Sequence, residues 1–231
     1  MRIHHLPSAP VQGLAYARCL QRDGPTATFA ALIDVDEFVV LKRHAHVADF
    51  MAEHCDADCG QLSLNWRTMG TSGEAAYRPL PVTRRNVHAH TYRPLERVVK
   101  AIVRPSYAAD YLDWSHTILL KRGRWVDTDG TVIPRGASTA RDGRVPYEHR
   151  GPTDVAALYH YRFKSEEEFR AKSCVRGDSL RERGSTPKCG HMSRPQNYPR
   201  EGGGFDDLAW RQLKRRVPKY ALFDEMANAT R

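Results

Sequence analysis

FAALIDVDEFVVL, residues 29–41, is the stretch on which the fold turns. Its apolar residues are interrupted only by the carboxylates Asp34, Asp36 and Glu37, and a short apolar run of this kind reads as a buried strand that runs into acids. On a regular strand, residues i and i+2 share a face. Asp34 and Asp36 are therefore expected to project together, and Glu37 the opposite way. Two carboxylates this close, bordering a core, repel each other unless a cation lies between them. Oxygen ligation suits Mg2+ or Mn2+, ions that water and substrate phosphates usually complete. The C-terminal end of a strand is also where open α/β sheets place their ligands. An acidic turn in solvent is the plainer reading, but such a turn has no need of the long apolar lead-in.

Outward from this stretch, residues 12–20 (QGLAYARCL) read as a helix. Val47, Phe50, Met51 and Cys55 recur at helical spacing. Leu62, Leu64 and Trp66 alternate with Gln61, Ser63 and Asn65, the pattern of a half-buried strand. MGTSGE at 69–74 is a Gly-Ser turn. VVKAIV at 98–103 is a strand stopped by Pro105. AALYHYRF at 156–163 is another, with His160 on one face and Tyr159 and Tyr161 on the other. Ser165 followed by Glu168 has capping-box spacing, so a helix starts there. Residues 183–204, rich in Gly, Pro, Ser and Arg, read as a long loop. A last helix is expected after Asp206 or Asp207, ending near Pro218. Mixed strands and helices give an α/β class. We divide the chain at 180: 1–180 as the main domain, 181–231 as a basic loop with a C-terminal helical extension.

The chain has 231 residues, 41% of them hydrophobic, enough to bury a core. Mean hydropathy is −0.61, and no apolar run reaches the ~20 residues of a membrane-spanning helix. The N-terminal residues lack the apolar stretch of a secretory signal. Five cysteines, an odd count without framework spacing, read as reduced thiols of a cytoplasmic protein. Cys55, Cys59 and the adjacent His54 suggest zinc, but no second close pair accompanies them, so half-buried thiols are the plainer reading. Lys and Arg outnumber Asp and Glu, 36 to 27, a net charge of +9. Such a balance favours polyanionic partners. Residues 176–219 carry eleven Lys/Arg against five Asp/Glu. Few aromatics interleave with them, so a solvated basic face or a phosphate site is favoured over a nucleic-acid surface.

IDVDEF resembles the metal-binding D-x-D element of nucleotide-sugar glycosyltransferases with the GT-A fold. Further motifs narrow the resemblance to glycosyltransferase family 92 and its bacterial relatives of the glycosyl transferase family 2 type. These are Gln12, Ala15 and Tyr16; Trp66 with Gly70, Thr71, Ser72 and Gly73; Lys100, Ile102, Val103, Arg104 and Pro105; His160, Tyr161, Lys164 and Ser165; and Lys172 with Arg176 and Gly177. The last pair has one residue more between lysine and arginine than the family pattern.

The resemblance implies a GT-A-like mixed sheet with flanking helices and a metal-dependent glycosyltransferase. The enzyme would move a sugar from a nucleotide-sugar donor to a glycan or other hydroxyl acceptor, with inversion. It implies Mn2+ or Mg2+ on Asp34 and Asp36, with His160 as third ligand and His116 as the runner-up. Asp34, Lys100, Arg104, Lys164 and Arg176 are expected at the donor diphosphate or an acidic acceptor, and Trp66 with the GTSG turn on the acceptor side. Inversion needs a general base, for which Glu74 and Asp113 are the candidates. The family's nucleotide-binding half precedes the D-x-D and needs on the order of 60 residues. Only 33 residues precede Asp34, so those strands are expected to be lacking and the chain to be truncated. Two other readings stand beside this one. One is a nucleic-acid-binding module using the basic C-terminal third. The other is a metal-dependent phosphohydrolase using the same acids, short of the ligands a two-metal centre needs.

Overall fold

A computed structural model describes residues 12–109, 116–134, 149–176 and 202–224, which form a mixed α/β structure. The described strands are β1 (Ala30–Leu32), β2 (Glu37–Leu41), β3 (Cys59–Thr68), β4 (Val99–Val103), β5 (Arg124–Val126), β6 (Val132–Ile133) and β7 (Ala156–His160). The helices are α1 (Gln12–Arg22), α2 (Val47–His54), α3 (Val82–Arg85), α4 (Glu166–Arg170) and α5 (Leu208–Arg216). Among the described residues no helix is long and apolar enough to cross a membrane.

β3 is the spine of the sheet. Gln61–Asn65 pair antiparallel with β4, whose other edge carries β1. Near its start β3 pairs parallel with β5, which continues antiparallel into β6. Near its end it pairs parallel with β7, whose other edge carries β2. The sheet therefore branches along β3. A central strand is covered on both faces, and β3 is buried almost throughout rather than half-buried. Most of its buried polar groups find partners, although Asn65 Oδ1 and Thr68 Oγ1 do not. Gln61 donates to Ser63 Oγ and Thr117 Oγ1 and accepts from Ile118 N, while Asn65 donates to Glu96 O.

Residues 29–41 are not one strand. β1 ends at Leu32, residues 33–36 form a turn closed by Glu37 N donating to Asp34 O at 3.1 Å, and β2 begins at Glu37. β1 belongs to the β4 branch and β2 to the β7 branch, so the acids sit where the chain crosses between the two. Their expected i, i+2 relation on one strand face does not hold, because they lie in the turn.

The main core cluster includes Phe50, Met51, Cys55, Leu62, Leu64, Trp66, Ile102 and Leu158, so α2 buries the predicted apolar face except at its first residue, Val47, which is half exposed. The helix expected at 165 starts at Ser165 with both halves of the capping box formed. α5 has Asp207 as N-cap and stops before Pro218, as expected. It buries Trp210 and rests on β2, where Gln212 Nε2 donates to Leu41 O. β7 ends at His160, short of the predicted 163, as the chain turns toward α4. Most of the predicted loop 183–204 lies outside the described residues.

The cysteines differ from expectation. Cys55 and Cys59 are joined by a disulfide at the end of α2, and Cys174 is also disulfide-bonded. Cys19 is a free, exposed thiol. Four-residue spacing with both side chains turned inward is within bridging reach, a geometry that an odd count does not reveal.

Candidate active site

The turn between β1 and β2 is anchored by four side chains. Gln12 Nε2 donates to Asp34 Oδ1 at 2.7 Å, and Tyr16 OH donates to the same oxygen at 3.3 Å. Both come from one face of α1, at i and i+4. Lys100 Nζ, reaching from β4, lies 3.0 Å from Asp34 Oδ2 and 3.6 Å from Glu37 Oε2. Lys172 Nζ, from the π-helical turn Ala171–Arg176, donates to Asp36 Oδ2 at 3.3 Å. The repulsion expected between Asp34 and Asp36 is thus relieved by two lysines, one for each carboxylate. Between them Val35 stands at the apex, fully exposed.

Glu37 does not face away from this cluster. Its carboxylate accepts Asp34 N at 2.8 Å and Trp66 Nε1 at 2.8 Å and sits beside Lys100. Burial pushes this carboxyl up to about 7, although the Lys100 ammonium and the hydrogen bonds pull it down. The reason is the turn: a regular strand through residue 37 would have sent the side chain to the other face.

Cross-strand register brings the remaining groups in. His160 lies opposite Glu37 on β2 and Thr68 on β3. Its ring packs on Trp66 with centroids 4.2 Å apart, and its Nε2 is 3.8 Å from Asp36 Oδ1. Burial first, then the charges of Arg162 and Lys172, holds this imidazole well below its ordinary pKa, so it is neutral. Its Nδ1 is buried without a hydrogen-bond partner. His116 meets the same indole at 5.3 Å and donates from Nδ1 to Val99 O. Burial and the nearby Lys100 charge lower its pKa to about 4.

A neutral imidazole whose Nε2 faces a carboxylate oxygen 3.8 Å away is a donor set that fits a divalent ion. Asp36 and His160 are the residues that would hold one. Asp34 is less available, since both its oxygens are already engaged. Among the described residues, only His44, Glu53 and His54 bring three ligand atoms within 4.8 Å of one another, so Asp34, Asp36 and His160 are not drawn to that spacing.

The other sequence candidates are distributed more widely. Trp66 and Lys100 are in the cluster. Arg104 lies along β4 in the other direction, over the Phe29 ring at 4.5 Å and donating to Cys59 O and Asp56 O. There it clamps a turn. Lys164, half-buried with φ +56°, gives its carbonyl to Asn86 Nδ2. Glu74 follows the Ser72–Gly73 positive-φ turn and has both carboxylate oxygens on Arg78. Asp113 and the Arg176 side chain lie outside the described residues. The expectation of site roles passes over Glu37, Gln12, Tyr16 and Lys172. All four stand in the motifs that carry the resemblance, which is the signal that would have found them.

The mixed sheet with flanking helices is consistent with a glycosyltransferase-like fold, and the class of the protein comes from comparison with known families. The model of glycosyltransferase family 92 matches residues 8–172, well over half the chain. The protein belongs to glycosyltransferase family 92 and is a glycosyltransferase, acting between a sugar donor and an acceptor. No curated protein matches the chain.

Proposed function

We propose that this glycosyltransferase takes its sugar from a nucleoside-diphosphate donor and delivers it to a hydroxyl of a glycan or similar acceptor with inversion. The observation that carries the reading is the convergence of Asp34, Asp36, Glu37, Trp66, Lys100, His160 and Lys172 at the branch of the sheet. In the transfer the acceptor oxygen bonds to the anomeric carbon, and the bond from that carbon to the diphosphate oxygen breaks. The electron pair leaves on the diphosphate, and the acceptor proton passes to a base.

Lys172 is partly exposed beside Asp36 and is placed to pair with phosphate oxygens. Lys100 is fully buried and holds the acids instead. A divalent ion on Asp36 and His160, Mn2+ or Mg2+, would supply electrostatic stabilisation of the leaving diphosphate. Trp66 is buried with its N–H on Glu37, so its part is to fix the cluster rather than to stack on a sugar. Of the two candidate bases, Glu74 already shares its oxygens with Arg78, and a hydroxyl must compete with that guanidinium. Asp113 is therefore the first choice.

The test is calorimetric binding of uridine and guanosine diphosphates with and without Mn2+. Binding is expected only with the ion, and Asp36→Asn is expected to weaken it by about 100-fold or more. Equal binding without metal, or in Asp36→Asn, overturns the proposal.

A further inference from the structure

Outside the acidic turn, a second set of ligand groups surrounds the C-terminal end of α2. Glu53 and His54 close that helix, and His44 comes from the segment leaving β2. His44 Nε2 is 2.8 Å from Glu53 Oε2, and His54 Nε2 is 3.4 Å from Glu53 Oε1. The two imidazole rings meet edge to face at 5.4 Å, and both flank the buried Phe50 ring. Both histidine side chains are about nine-tenths buried, whereas Glu53 is 63% exposed, so the cluster opens to solvent on one side. His54 Nε2 and His44 Nδ1 are buried without hydrogen-bond partners.

We propose that His44, Glu53 and His54 form a site for a transition-metal ion of the zinc class. Two imidazoles and one carboxylate, with a solvent-facing fourth position, are a characteristic zinc donor set. Zn–N and Zn–O bonds of about 2.0–2.2 Å put tetrahedral ligand atoms roughly 3.3–3.5 Å apart. The 3.4 Å from His54 Nε2 to Glu53 Oε1 already has that spacing. The ion also accounts for the orphaned His54 nitrogen, which otherwise carries the full desolvation cost of a buried polar atom. Cys55, next in sequence, is not a competing ligand because its sulfur is bonded to Cys59. The site lies beyond the far end of β2 from Asp36 and Glu37. It is therefore separate from the acidic turn and ties the β2–α2 connection to the end of α2.

The test is calorimetric titration of Zn2+ into the chelator-treated full chain, together with Co2+ absorption spectra. One equivalent of Zn2+ that is still bound in Asp36→Asn, and the intense visible bands of tetrahedral Co2+, are expected. His44→Gln and His54→Gln should each weaken binding by about a hundredfold or more, and the exposed Glu53→Gln should weaken it without loss of fold by circular dichroism. Asp36→Asn and His160→Gln should leave it unchanged, which separates this site from the acidic turn. Absence of Zn2+ binding by the unsubstituted chain overturns the proposal. So does binding that survives Glu53→Gln and both histidine changes, or binding lost only with Asp36→Asn.

Discussion

Lys100 has no solvent-exposed side-chain surface, yet it carries the charge that holds Asp34 and Glu37 together. A buried ion pair gives little net stability, but deleting one partner strands the other in low dielectric. Lys100→Met is expected to cost about 3–5 kcal/mol in urea unfolding. A loss under 1 kcal/mol would show that water reaches the acids. Glu37 makes a pH-dependent contribution. With its carboxyl raised by burial from 4.5 to about 7, the folded state favours its proton. Its stabilisation is complete below about pH 4.5 and is lost as pH rises through 7. His116, lowered to about 4 chiefly by burial, runs the other way: its contribution is present above about pH 6.5 and is lost as pH falls through 4. The two slopes oppose each other, so the difference between wild type and Glu37→Gln in metal-free buffer is the informative curve. That difference should grow in favour of the variant by up to about 3 kcal/mol between pH 4.5 and 7.5. A flat difference would mean Glu37 titrates normally.

At the scale of elements, α4 shows local sequence and tertiary structure in agreement. Ser165 Oγ accepts Glu168 N at 3.2 Å, and the Glu168 carboxylate accepts Ser165 N and also takes a two-pronged contact from Arg85. Burial opposes ionisation of Glu168, but these partners outweigh it and hold the carboxyl down to about 2. Ser165→Ala should cost about 1 kcal/mol, read as a shift of the thermal midpoint without loss of the helical signal. No shift would mean that the Arg85 contact alone sets the helix start. The capping box was legible because its partners are three residues apart. The β1–β2 turn was not, because hydrophobic patterning records burial and not the identity of the neighbouring strand. Two short apolar strands that meet end to end look the same as one long one. Read as one strand, the stretch points Glu37 to the wrong face, and sequence alone does not bring Lys172 to Asp36 across a separation of 136 residues.

For the molecule as a whole, the α/β class, the order of most elements and the family were readable from sequence, since motifs spread from residue 12 to 177 keep their order. What was not readable is how those motifs converge. β3 carries Trp66, β4 carries Lys100 and β7 carries His160 to one place through long-range pairings, Leu64 with Lys100 and Trp66 with Leu158. The cysteine chemistry was misread for a similar reason, since pairing depends on where side chains point. A non-reducing tryptic digest is expected to release the peptide spanning 44–67 with Cys55 linked to Cys59, two mass units lighter than after reduction. Recovery of two alkylated thiols there would refute the bond.

Val35 stands bare at the summit of the acidic turn, its neighbours on either side fastened to lysines. An isopropyl group wholly in water contributes nothing to the core, so folding is indifferent to what occupies this position. A library at 35 that leaves out Gly and Pro, which would act through the turn backbone, should therefore melt within a narrow range. Any spread in transfer rate among its members is a direct footprint of the molecule that comes to rest over the turn.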